Sequence, residues 1–465
     1  MVFSSSIFLF IFMPAIILIY YNPIFTSRNF RNNFLLLASL VFYAWGEPIF
    51  VFLMIISIIA GWFAGLKIKQ APTPLCKKKF LIVAVGFHLS ILFIFKYLTF
   101  IASEFGLLLN RDFSFIKIAL PIGISFFTFQ LLSYLFDVYY GKAAAQKNLL
   151  HLGLYISLFP QLIAGPIVRY ETIENQILNR KETLQNFSDG MIQFIYGLGK
   201  KILIANYVAQ IADNIFDSGA VEMSVATAWI GAVAYSLQIY FDFSGYSDMA
   251  IGLGKMFGFK FPENFNYPYI SRSATEFWRR WHISLGTWFR DYVYIPLGGN
   301  RVSKPRHILN LFTVWALTGI WHGANWTFLT WGLIYFVLLV VEKFTGFAEK
   351  IGRLAHLYTM AMVIIAFVIF RSENITFAAH FVAIMFGIGA VHFTDEIFFY
   401  YLWNGRVILF LAILLSTPIF PYLMKKLEKI NLRGTVEPVI ATCIFLLSLI
   451  CAISATYNPF IYFNF

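Results

Sequence analysis

The segment Thr318-Gly-Ile-Trp-His-Gly-Ala-Asn-Trp326 places one imidazole, His322, between two apolar runs. An imidazole titrates near neutral pH and can take a proton from an attacking hydroxyl. At membrane depth an ionisable side chain is costly and usually faces a cavity. Thr318 lies one helical turn earlier on the same face, and Gly319 and Gly323 form a small-x-x-x-small pair that lets another helix approach. A packing histidine bonded to a nearby hydroxyl or carbonyl fits the same residues, so their chemistry leaves both roles open. Trp321 and Asn325 flank the ring as candidate channel residues.

A second histidine, His282, sits in Glu276-Phe-Trp-Arg-Arg-Trp-His-Ile-Ser284 among cationic side chains that would disfavour its imidazolium. Arg279, Arg280 and Arg290 are candidates to hold phosphate groups of a donor from the cytoplasmic side. Headgroup binding and topology signals explain the same arginines equally well. The segment Tyr240-Phe-Asp-Phe-Ser-Gly-Tyr-Ser-Asp248 adds Asp242, Ser244 and Asp248 to the candidate channel. Its two carboxylates could bond the basic block or orient a histidine, with a structural ion pair favoured. No G-x-S-x-G elbow is present, which weakens a serine-hydrolase reading.

Gln130 and Gln161 fall in Leu120–Gln130 and Phe159–Pro166, where Pro and Gly interrupt apolar runs. Such interruptions predict broken helices, tolerated where the freed backbone is buried or lines a cavity. Interhelical bonding accounts for these glutamines as readily as a channel does. Metal binding is poorly supported, since the eight histidines are scattered without H-E-x-x-H or a Cys/His cluster. Three cysteines, Cys76, Cys443 and Cys451, make no C-x-x-C pair and no disulfide framework.

The elements that must position these residues are membrane helices. The 465 residues are 59% hydrophobic and only 12% charged, with mean hydropathy +0.72. Soluble domains are roughly 45–50% apolar and about 25% charged. A soluble enzyme, a disordered chain and a nucleic-acid-binding domain are excluded on that ground. The net charge of +12 reads as positive-inside bias rather than a nucleic-acid partner, because the basic residues lie between apolar runs.

Apolar runs fall at about 6–22, 34–46, 48–66, 80–101, 114–139, 149–167, 190–208, 225–241, 307–320, 325–342, 354–371, 376–392, 405–422 and 436–456. They predict an all-α polytopic membrane protein forming one membrane domain, with roughly 11 to 13 spanning or re-entrant helices. The first run reads as a retained helix, without a charged leader before it. Lys and Arg positions put both ends of the chain outside. One stretch breaks the count: with 354–371 and 376–392 both crossing, the acidic 393–404 segment falls inside, so one of the two is partial or interfacial. The basic, aromatic block 255–306 reads as interfacial or re-entrant helices.

Taken together these motifs resemble the membrane-bound O-acyltransferase superfamily, and within it the bacterial alginate O-acetyltransferase branch, close to peptidoglycan O-acetyltransferases. The resemblance runs from Met1-Val-Phe-Ser-Ser5 through Pro121–Gln130, Phe159–Pro166, Phe241–Asp248, Trp278–His282 and Trp321–Gly323 to Asn458–Phe463. It implies a ring of helices around a thin centre that holds the catalytic histidine, reachable from both sides. His322 matches the family's catalytic position and His282 its second characteristic histidine. The implied chemistry is transfer of an acetyl group from a cytoplasmic thioester, acetyl-CoA, toward an exported polysaccharide, without a permanently bound cofactor. A separate SGNH-type transferase outside the cytoplasmic membrane of a bacterium is the implied partner. Peptidoglycan or another exopolysaccharide as acceptor, or D-alanyl transfer to teichoic acid, are readings within the same superfamily. From the residues alone, a transporter of polysaccharide or small anions would use intramembrane His and Asp with broken helices equally well.

Overall fold

The computed structural model describes residues 1–113, 115–219 and 223–454; the Asn458–Phe463 motif lies outside them. The described residues form helices and loops, with no strand among them. By its internal contacts the chain divides into two compact units: residues 1–194 with 247–262, and residues 195–246 with 263–465.

The first unit contains a π-helical turn Phe8–Phe12 followed by α1 (Met13–Tyr20), α2 (Arg28–Ala44), α3 (Phe50–Gln70), α4 (Pro74–Lys96), α5 (Leu98–Leu109), α6 (Ile124–Tyr140), α7 (Leu149–Ser157), α8 (Phe159–Leu162) and α9 (Tyr170–Asn179). Helix starts carry their own signals. The Ser27 side chain accepts from the Phe30 amide, and Thr73 caps α4 ahead of Pro74. The expected breaks occur. Gly123, at φ 76°, starts α6 only after Pro121, and the 149–167 run splits at Leu158 into α7 and the single turn α8. These two breaks meet: a methyl on Gly123 would lie 3.0 Å from the Leu162 carbonyl oxygen.

On the side that holds Arg28, the first unit is fastened by a buried ionic knot. Glu182 accepts from Arg28 Nη2 at 2.9 Å, while the fully buried Arg180 guanidinium bonds Asn32 Oδ1 at 2.6 Å and the Tyr20 hydroxyl at 3.0 Å. Burial by itself raises the Glu182 carboxyl. The Arg28 and Tyr20 hydrogen bonds and the nearby guanidinium charges outweigh it and hold the group at about 2.

Two long helices contribute to both units, α10 (Leu184–Gly199) and α12 (Val225–Met256). The second unit continues from α10 through a π-helical segment, Lys200–Ala205, into α11 (Asn206–Asp217). After α12 come α13 (Ala274–Arg280), α14 (Ile283–Phe289) and a π-helical turn Arg290–Tyr294. None of these three pieces is long enough to cross a bilayer. Next come α15 (Lys304–His322), α16 (Trp326–Thr345), α17 (Phe347–Lys350), α18 (Ala355–Arg371), α19 (Ile375–Met385), α20 (Glu396–Leu415), α21 (Ile419–Lys429) and α22 (Arg433–Ser454).

By length and composition six helices among the described residues can cross a membrane: Phe50–Gln70, Pro74–Lys96, Trp326–Thr345, Gly352–Arg371, Glu396–Leu415 and Arg433–Ser454. Several other apolar runs are split or shortened, so the expected spanning or re-entrant segments include pieces below full crossing length. Phe8–Tyr20, Leu98–Leu109 and Ile375–Met385 are apolar but short.

The last of these resolves the topological conflict. Helix α19 rises about 16 Å at 1.5 Å per residue, half of a ~30 Å hydrocarbon core. Before it, Arg371 pairs with Asp213 and Asp217 at the end of α11, each at 3.1 Å. After it, the His392 carbonyl accepts from the Val225 amide at 3.2 Å and Asp395 accepts from the Thr227 hydroxyl at 2.6 Å. Both flanks of α19 therefore meet the short connection between α11 and α12, and α19 is the partial segment. With α18, α20 and α22 as the crossing helices, Lys343–Arg353 and Lys425–Arg433 share one side, which the positive-inside rule makes cytoplasmic.

Candidate active site

Helices α15 and α16 form a tight hairpin whose turn carries His322. A methyl on Gly332 would collide with the Trp315 carbonyl oxygen and come within 3.1 Å of Gly319 Cα, so the two backbones touch. Gly319 is thus one half of the close approach the spacing predicts. Gly323 plays another part: it ends α15 in extended conformation under the Phe328 ring. The Thr318 hydroxyl donates to Val314 O at 2.8 Å along its own helix.

His322 is the last residue of α15 and is 6% exposed. Aromatic rings enclose it: Trp331 at 4.9 Å, Trp321 at 5.0 Å and Phe370 at 5.2 Å between centroids, all near-perpendicular. Trp321 reaches on to His282, 6.0 Å from its ring, so one indole joins the two histidines.

His282 is 1% exposed, at φ 43°, at the junction of α13 and α14. Its surroundings are aromatic and amide, not cationic as the sequence suggests: Phe243 packs on it at 4.7 Å. Asn264 Oδ1 lies 3.1 Å from His282 Nδ1 and also accepts from the Ser284 amide and hydroxyl. An amide N–H can only donate, so the Asn264 atom is oxygen and His282 Nδ1 carries the proton. His282 Nε2 is then left as a buried acceptor, without a hydrogen-bond partner among the described residues.

The other expected channel residues disperse. Asp242 forms an ion pair with Lys201 of the π-helical segment at 2.6 Å, both side chains buried, rather than with the basic block. Ser244 is buried beside it in α12. Arg280 is held by Glu276 at 2.9 Å, one helical turn away, and by the Asn266 carbonyl. Arg290 is mostly exposed and pairs with its neighbour Asp291. Asn325 caps α16 through the Thr327 amide and donates to Glu373 O at 2.8 Å, a structural commitment of both ends of its amide. Gln130, Gln161 and Asp248 belong to the first unit. Gln130 and Gln161 are buried there beside Tyr155, and Asp248 accepts from Gln193 at 3.3 Å.

Arg279 has a different setting. It lines a cavity of about 1310 Å³ in the second unit together with Arg272, Leu311, Leu339, Lys343 and Arg353. None of these four cationic side chains has a carboxylate in ion-pair range among the described residues. Of the two lining carboxylates, Glu349 and Glu342, the latter is spent on α13: it accepts from the Ala274 and Thr275 amides at 2.7 and 3.1 Å and from the Thr275 hydroxyl. The cavity is therefore a cationic pocket on the cytoplasmic side.

Its walls continue toward His322 along three helix faces. On α16, Lys343 and Leu339 line the cavity, and Tyr335 and Trp331 follow at helical spacing. On α15, Leu311 lines it, and Trp315 and His322 follow; on α13, Arg279 lines it beside Trp278. The rise from Leu339 to Trp331 is about 12 Å and from Leu311 to His322 about 16 Å. Trp278, Trp315, Trp331 and Tyr335 pack together over that distance, with centroids 4.7–5.5 Å apart. Sequence reasoning misses Trp331, Tyr335 and Lys343, since inside or at the end of an apolar run they read as lipid or core contacts. The four-residue spacing from Trp331 to Lys343 is the signal that could have found them.

No group of three metal-ligating side chains occurs among the described residues. The geometry offers a buried imidazole, a second one with a buried acceptor nitrogen, and a cationic pocket about two to three helical turns away.

Comparison with known proteins identifies the family. The model of the family described as MBOAT, membrane-bound O-acyltransferase family, matches residues 142–377, which include both histidines. The chain is 43% identical over 400 residues to the probable alginate O-acetylase AlgI of Pseudomonas putida, covering 84% of this chain and 81% of the relative. It is 36% identical over 426 residues to the peptidoglycan O-acetyltransferase of Helicobacter pylori, with 84% and 81% covered. A teichoic acid D-alanyltransferase of Bacillus subtilis is 30% identical over 234 residues, covering 48% of this chain and 59% of the relative. The family match over residues 142–377 and similarity along most of the chain lead to one conclusion: this protein belongs to the membrane-bound O-acyltransferase family and is a multi-pass membrane acyltransferase.

Proposed function

We propose that the protein transfers acetyl groups from cytoplasmic acetyl-CoA to a hydroxyl presented on the other side of a bacterial cytoplasmic membrane, for O-acetylation of an exported polysaccharide of the alginate type. The observation that carries this reading is the cationic cavity whose walls lead, within about 16 Å, to His322. Arg272, Arg279, Lys343 and Arg353 suit the phosphates of a nucleotide-bearing thioester, while the aromatic faces above them suit its extended arm. His322 acts as general base. The acceptor oxygen attacks the thioester carbonyl as its proton passes to His322; the carbon–sulfur bond then breaks, and the thiolate leaves and takes up a proton. His282, with Nε2 turned inward, orients the acceptor hydroxyl. An SGNH-type transferase outside the membrane completes delivery to the polymer.

Two measurements test this. Purified protein in detergent should release free thiol from acetyl-CoA without any ion gradient; absence of turnover would reject the enzyme reading in favour of transport. Mass spectrometry of cell-surface glycans with and without the gene should show O-acetyl groups lost from one polymer. The two kinds of relative make alginate-type polysaccharide and peptidoglycan the alternatives that this measurement separates.

A further inference from the structure

Beside His322, and packed on from its neighbour Trp331, are buried donors without an acceptor among the described residues. The indole Nε1 of Trp331, the indole Nε1 of Trp278 and the Tyr335 hydroxyl are each buried without a hydrogen-bond partner among the described residues. Buried polar groups are nearly always paired, and leaving one unmade costs about 1–3 kcal/mol. Three such groups occur in one connected patch: Trp278 lies 5.5 Å from Trp331 and 5.0 Å from Tyr335, and Trp331 lies 5.2 Å from Tyr335. Trp331 is itself in edge contact with His322 at 4.9 Å. An indole N–H can donate and cannot accept, so two of the three groups call for an acceptor oxygen rather than for a cation or another donor.

We infer that the Trp331 and Trp278 N–H groups hold the carbonyl oxygen of the acyl donor beside His322 and stabilise the oxyanion that forms there. This rests on the acyl-transfer reading above. In the step assigned, the acceptor oxygen bonds to the thioester carbon, and the carbonyl electron pair moves onto the oxygen held by the indoles. It returns as the carbon–sulfur bond breaks, and the proton lost to His322 balances the one the departing thiolate takes up. The site suits the task because its donors are rigid rings, locked by Trp315 and Phe370, and need no reorganisation as charge develops.

The test uses the full-length protein in detergent with acetyl-CoA. Trp331→Phe keeps a ring and removes the N–H. Loss of one such donor should lower kcat by about 10²–10³-fold while KM for acetyl-CoA changes little. Trp278→Phe should also lower kcat, and the double variant should lose less than the product of the two. A Trp331→Phe protein that keeps kcat within a few-fold, or loses only KM, overturns the inference. If wild-type protein fails to turn over acetyl-CoA, the acyl-transfer reading fails first, so the two failures are distinct. Should Trp331→Phe not fold, infrared difference spectra of carbonyl-13C acetyl-CoA bound to His322→Ala protein decide the matter. The carbonyl band should lie lower than in an apolar solvent; a band at the apolar position overturns the inference.

Discussion

Gly319 and Gly332 face each other across α15 and α16, with no room for a single methyl group between the two backbones. That approach sets His322 against Trp331. Gly332→Ala forces the hairpin apart where backbone, not a movable side chain, is the obstacle. Overpacking of this kind costs about 1–3 kcal/mol. The expected result is a lower melting temperature in detergent and a larger loss of acetyl-CoA turnover than of folded protein, read by size exclusion alongside activity. The exposed Gly434, which a methyl would not crowd, is the matched control.

His322→Ala should fold, because the aromatic rings around it pack on one another as well as on the imidazole, and should be nearly inactive. A general base contributes about 10²–10⁴-fold. A folded variant retaining more than about a tenth of wild-type turnover would remove His322 from that role.

The arginines of the central block should separate into two behaviours. Arg279→Gln and Lys343→Gln should raise KM for acetyl-CoA with little effect on kcat, and the difference from wild type should shrink as salt is added, since these cations face the open pocket. Arg280→Gln breaks a bond to Glu276 instead and should leave KM for the donor near wild type. Initial rates against acetyl-CoA at low and high ionic strength provide the comparison.

Asn264→Ala removes the acceptor that fixes the His282 proton on Nδ1. The ring should then populate both tautomers, and kcat should fall about tenfold or more while the protein remains folded. Asn264→Asp keeps an acceptor oxygen and should recover part of the loss. Equal activity in all three proteins would show that the tautomer does not matter to turnover.

The ionic knot at Glu182 predicts an acid-sensitive first unit. Its carboxyl titrates at about 2 in the folded protein against about 4.3 for an unperturbed glutamate. A depressed carboxyl contributes stability that is fully present above the unfolded value and is lost as pH falls toward the folded one. Melting temperature should therefore drop between about pH 4.5 and 2, and Glu182→Gln should be less stable at pH 7 but flatter across that window. Removing one partner of a buried pair costs about 3–5 kcal/mol, because Arg180 is left buried with less compensation.

How far the amino-acid order foretells this arrangement depends on the kind of signal. Pro121, Gly123 and Pro160 announce their breaks because backbone chemistry is local. His322 and Trp321 stand out because a polar residue inside an apolar run is rare. The Arg280–Glu276 bond has helical spacing within one short helix, yet the sequence reading assigns Arg280 to donor phosphates instead. The partner of Asp242 was not legible: Lys201 is distant in sequence and sits in a π-helical segment that no spacing rule flags. Trp331 and Tyr335 likewise carry no mark of their polar ends, since an aromatic ring in an apolar run reads as packing until its N–H or hydroxyl is found without an acceptor. Helix α19 misled for the opposite reason: its hydropathy suits a span, and only the bonds at 371–373 and 392–395 reveal that it turns back.

Phe370 packs against His322, and the chain immediately after it is moored. Arg371 is tied to Asp213 and Asp217, and the Glu373 carbonyl to Asn325, which also starts α16. The roof of the histidine chamber thus cannot hinge upward as a loop would without unpicking a helix start and two ionic moorings. Movement of Phe370 away from the imidazole is therefore a matter of that ring's own rotamers more than of a swinging segment.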